Sequence, residues 1–98
     1  MVTEPSSRDL HPKTGARFVF DRIETETEPA YTVVVYLPEA RRWTGTLRWI
    51  DGRAQLEPGV DQPALDADET QVWATKEALK LARVLHRDPK QHMLRWRG

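Results

Sequence analysis

Three histidines, His11, His86 and His92, are the only imidazoles in the chain, and there is no cysteine beside them. Structural metal sites draw on thiolate and imidazole ligands at short, regular spacings. The six-residue gap from His86 to His92, with Asp88 between, is not such a spacing. Nucleophilic catalysis needs an activated side chain and a base that a third group orients. The serines and threonines here have no histidine pattern near them. Glu24, Glu26 and Glu28 alternate, and read as a solvated acidic turn rather than a cation site. Gly15, Gly45, Gly52, Gly59 and Gly98 stand singly, so there is no glycine-rich phosphate loop. The expectation is a non-enzymatic protein with no catalytic residues, no metal, no cofactor and no identifiable small-molecule substrate.

The residues whose spacing does suggest chemistry are cations. Lys76, Lys80, Arg83 and Arg87 recur at i, i+4, i+7 and i+11, which is one narrow stripe along a helix. Trp73 lies beside the stripe, and Arg95-Trp96-Arg97 follows downstream. Cations interleaved with aromatics suit a phosphate backbone with stacked bases, so these eight residues form a candidate nucleic-acid surface. The plainer reading is that exposed helix faces are routinely basic, and that cations suit the negative end of a helix dipole.

The element that carries the stripe is the most periodic in the chain. From Asp68 to Arg87, Ala74, Ala78, Leu81, Ala82 and Leu85 gather opposite the cations, with Val72 and Leu79 at the margin. Asp66 or Asp68 is the expected N-cap, since both begin a capping-box spacing. Asp88-Pro89 ends the helix, because proline disfavours helical geometry in the residue before it. A rival reading makes residues 71–74 a short strand and starts the helix after Thr75.

Ahead of the helix lie strand signals. Residues 16–23 alternate Phe18 and Phe20 against Val19, Asp21 and Ile23. Residues 31–37 are β-branched or aromatic at nearly every position, with Tyr31, Val33, Val35 and Leu37 on the core side. A strand apolar on both faces is usually central. Residues 43–50 run into Asp51-Gly52, a type I′ hairpin signal. A two-residue loop pairs Trp49 with Ala54 and Leu47 with Leu56, and a slip of one residue destroys that apolar match. Residues 92–97 suit an edge strand. The fold expected is α+β: a four-stranded antiparallel β-meander, one C-terminal amphipathic helix on its Trp43/Leu47/Trp49/Leu56 face, and a short fifth strand after the helix.

Ninety-eight residues make one domain, read as residues 16–98 behind a flexible N-terminal arm over 1–15. The lack of cysteine suits a reducing cytoplasm. No apolar run reaches the roughly 18 residues of a membrane span, and the start lacks the build of a signal peptide. A soluble cytoplasmic protein without a membrane partner is therefore expected. Net charge is zero. Residues 24–69 hold ten acids against four arginines, and residues 70–98 hold seven cations against two acids, or −6 followed by +5. Such asymmetry marks a polyanion site or a self-complementary contact.

A helix on one side of the sheet leaves Thr32, Val34, Tyr36, Thr44, Thr46, Arg48 and Ile50 on the other. Of these, Thr32, Val34, Tyr36, Thr46, Arg48 and Ile50 form a candidate protein interface. The four tryptophans, Trp43, Trp49, Trp73 and Trp96, are more than a small core is expected to need. The strands followed by an Ala/Leu-rich helix (Glu77-Ala78-Leu79, then Ala82 and Leu85) resemble several small bacterial folds. Among these is the antitoxin half of some toxin–antitoxin pairs. The glycine-rich segment expected between sheet and helix there is missing, and no residue roles carry over. The leading expectation is a non-catalytic, self-associating or partner-binding module of bacterial type. The alternative is a nucleic-acid-binding protein.

Overall fold

The computed structural model describes residues 14–25 and 27–98. Its elements are β1 (Ala16–Arg22), β2 (Ala30–Tyr36), β3 (Arg42–Ile50), β4 (Arg53–Pro58), α1 (Glu69–Arg87) and β5 (His92–Arg97). One antiparallel sheet runs in the order β4-β3-β2-β1-β5. The meander is as expected, and the C-terminal segment adds a fifth strand against β1. The two-sided strand β2 is the central one. Apart from Thr14 and Gly15, the expected arm lies outside the described residues, as does His11.

The β3–β4 hairpin has the register its sequence dictates, with Trp49 opposite Ala54 and Leu47 opposite Leu56. Asp51 and Gly52 sit at φ 52° and 78°, the left-handed pair that a type I′ turn requires. At the helix start, Asp68 accepts from the Gln71 backbone N–H at 2.8 Å. Residues 71–74 are therefore helix and not strand. The reciprocal arm of a capping box does not form, because the buried Gln71 amide turns inward and donates to Thr75 Oγ1 at 3.4 Å. That backbone bond holds the Asp68 carboxyl below its ordinary value; partial desolvation opposes the shift and Arg41, 3.0 Å away, adds to it. A depressed carboxyl stabilises the fold above its unfolded pKa, and the contribution fades as acid takes the pH down through the folded value.

One face of the sheet meets α1. Phe18, Phe20, Tyr31, Val33, Val35, Trp43, Leu47 and Met93 from the strands, with Leu37 just after β2, close on Ala74, Ala78, Leu81, Ala82 and Leu85. The row of alanines lets the helix sit close, and the two leucines fill the space between. The loop after β4 is strapped to this layer. Trp43 Nε1 donates to the Pro63 carbonyl at 3.2 Å, and Thr75 Oγ1 donates to that of Leu65 at 3.4 Å.

Tyr31 is wholly buried in this layer, and its hydroxyl has no hydrogen-bond partner among the described residues. A buried polar group without a partner costs roughly 1–3 kcal/mol. Tyr31→Phe keeps the ring and its edge-on contact with Trp49, whose centroid is 5.9 Å away. The variant is expected to unfold at a higher urea concentration than the parent, with an unchanged m-value. A lower midpoint would mean that the hydroxyl is in fact satisfied.

Candidate functional site

Two surfaces gather the candidate binding side chains. The first is the sheet face away from α1. Thr32, Val34, Tyr36, Thr46, Arg48 and Ile50 all lie on it, and no described helix or strand covers them. Register extends the surface to β1 and β5 as three rows. Arg42, Tyr36, Arg17 and Trp96 are neighbours across the strands at one end. Thr44, Val34, Val19 and Leu94 form the next row, and Glu57, Thr46, Thr32, Asp21 and His92 the third.

The first row is ordered by cation–π contacts. The Arg17 guanidinium lies 5.3 Å from the Tyr36 ring centroid and 5.6 Å from that of Trp96. The third row is held by His92 Nδ1 against Asp21 Oδ1 at 2.6 Å. Arg17, Val19 and Leu94 escape a reading of the sequence alone. They join the surface only because β1 and β5 pair at the far edge.

The second surface is a groove of about 760 Å³ between the β3–β4 hairpin and one flank of α1. Trp49, Ala54 and Leu79 give it an apolar floor, and Lys76, Lys80, Arg83 and Arg87 run along one wall. Arg53 lies at the hairpin side. His86 stacks on Trp49 with centroids 5.6 Å apart and planes at 28°. Among the described residues, no carboxylate lines the groove. Lys80 lies 3.5 Å from Glu77, while Lys76, Arg83, Arg87 and Arg53 have no ion pair among the described residues.

The eight-residue basic surface expected from sequence does not assemble. Its four stripe cations line this groove, but the others go elsewhere. Trp73 turns to the opposite flank of α1 and packs on Phe18, with centroids 6.4 Å apart. Arg95 and Arg97 share the face of Met93, on the helix side of β5, where Arg97 Nε lies 3.9 Å from Glu77. Trp96 points to the open sheet face and is 53% exposed. The tryptophans are also less spare than they looked. Trp43 is core, Trp49 and Trp73 lean on it, and Trp96 alone is largely exposed.

Among the described residues, no three His, Cys, Asp or Glu side chains are placed to hold a metal ion. No described helix is long and apolar enough to cross a membrane. No protein-family model, curated protein or solved structure matches the chain.

Proposed function

We propose that the protein is a non-catalytic interaction module, and that it self-associates through the open sheet face. The observation that carries this reading is the order of three adjacent rows on that face: Arg42, Tyr36, Arg17 and Trp96, then the row of Val34, Val19 and Leu94, then Glu57 and Asp21 beside Thr46, Thr32 and His92, with Arg48 beyond them. A twofold interface sets a patch against itself. An axis lying along the Val34-Val19-Leu94 row brings the apolar row of one copy onto that of the other. The same operation puts Arg17 over Asp21 of the second copy, and Trp96 over its His92. The two rows are four residues apart on β1, or about 13 Å, so each copy supplies both halves of the charge pairing. A surface of one sign would repel its own copy; this one is complementary to it.

Sedimentation at tens of micromolar is the test. The parent chain is expected to run as a dimer. Val34→Glu sets like charges against each other on the axis and is expected to give a monomer with unchanged circular dichroism. Arg17→Asp and Asp21→Arg should each weaken the dimer, and the doubly exchanged chain should regain it. A parent that stays monomeric at 100 µM, a concentration corresponding to only about −5.5 kcal/mol of association, sinks the reading.

A further inference from the structure

We infer that the groove between the β3–β4 hairpin and α1 binds a single strand of nucleic acid, with its phosphates along the helix wall. The assignment is independent of the sheet face. Lys76, Arg83, Arg87 and Arg53, which have no carboxylate partner among the described residues, converge on one concave surface with Lys80, and none of the lining residues neutralises them. Such a surface repels itself until an anion arrives, and it concentrates anions because the field focuses in a cleft. From Lys76 to Arg87 the cations cover eleven residues, or about 16 Å of helix, so they suit a chain of charges rather than one small anion.

The floor decides which polyanion. Trp49 and His86 already form a stacked aromatic pair facing the groove. Bases gain roughly 1–3 kcal/mol each on such surfaces, whereas a run of carboxylates gains nothing from them. A duplex keeps its bases paired and stacked within itself and offers none to this floor, so a single strand with free bases is the occupant that suits it.

Anisotropy of a fluorescein-labelled dT12, with the full chain titrated in at 20 mM salt, tests the assignment. Binding is expected to weaken with salt at a log–log slope of about −2 to −3, the value for three or four phosphate contacts on a single strand. Arg83→Glu and Lys76→Glu should each weaken it about tenfold at low salt, and His86→Ala should weaken it with less change in slope. Lys90→Glu, away from the groove, and Val34→Glu, on the opposite face, should leave it unchanged. Absence of binding at 20 mM salt overturns the inference. So does equal competition by polyglutamate, which would assign the groove to acidic protein segments, or a preference for duplex DNA of the same length.

Discussion

Gly45→Ala is expected to lower the unfolding free energy by about 2–3 kcal/mol, a large share of the roughly 5–10 kcal/mol a domain this size holds. Gly45 lies on the helix side of β3, opposite Val33 and Pro58. The indole of Trp43 folds over its backbone. A Cβ there would overlap Trp43 Cη2 and the Glu57 carbonyl oxygen, and would stand 2.8 Å from Trp43 Cζ3. Neither neighbour gives way easily. The indole is 1% exposed and tied through Nε1 to the Pro63 carbonyl. The Glu57 oxygen is main chain of the paired strand. A methyl group therefore forces the ring off the core or the β3–β4 ladder apart.

Two comparisons separate those outcomes. Trp43→Leu is destabilising on its own, but it removes the ring contacts and leaves the one with Glu57, so Gly45→Ala should cost less in the Trp43→Leu background than in the parent without becoming neutral. Thr44→Ala, next door on the open face, should change the urea midpoint little. An unchanged midpoint for Gly45→Ala itself would mean that Trp43 does not lie across that backbone.

Gly45 also marks where reading the sequence stops. A lone glycine in a strand announces a close approach, but not what approaches. The hairpin was legible because both constraints on it are local: Asp51-Gly52 sets the turn, and alternation on each side sets the register. The helix was legible for the same reason, with Asp68 and Pro89 bounding a clear period. The pairing of β5 with β1 was not. Alternation in His92-Met93-Leu94-Arg95-Trp96-Arg97 tells which residues share a face, yet nothing in it names the neighbouring strand. That one unknown scattered the expected nucleic-acid surface. It sent Arg95 and Arg97 to the helix side and Trp96 to the opposite face, where it meets Arg17. The groove was half legible, since the stripe was visible in the sequence. Its second wall and its Trp49–His86 floor depend on how α1 lies across the hairpin, which periodicity does not determine.

Leu85→Ala is expected to cost about 3 kcal/mol, within the roughly 2–5 found for burying a cavity of this size, and it distinguishes the two sides of α1. Leu85 is fully buried in the last helical turn, and Leu81, one turn earlier, is 1% exposed. Around them Ala78 and Ala82 hold the helix close to the sheet and have no side chain to spare for filling a hole. The cavity therefore persists, and the cost exceeds the transfer energy of the lost methyl groups. Leu79→Ala, at the groove margin and only partly buried, should cost about 1 kcal/mol, nearer the simple area loss. Ile50→Ser at the hairpin, where the side chain is 53% exposed, should cost less than about 0.5 kcal/mol. Equal losses at Leu85 and Leu79 would mean that α1 is rolled about its axis, with the cationic wall turned out of the groove. In that case the Arg83→Glu effect on oligonucleotide binding should vanish with it.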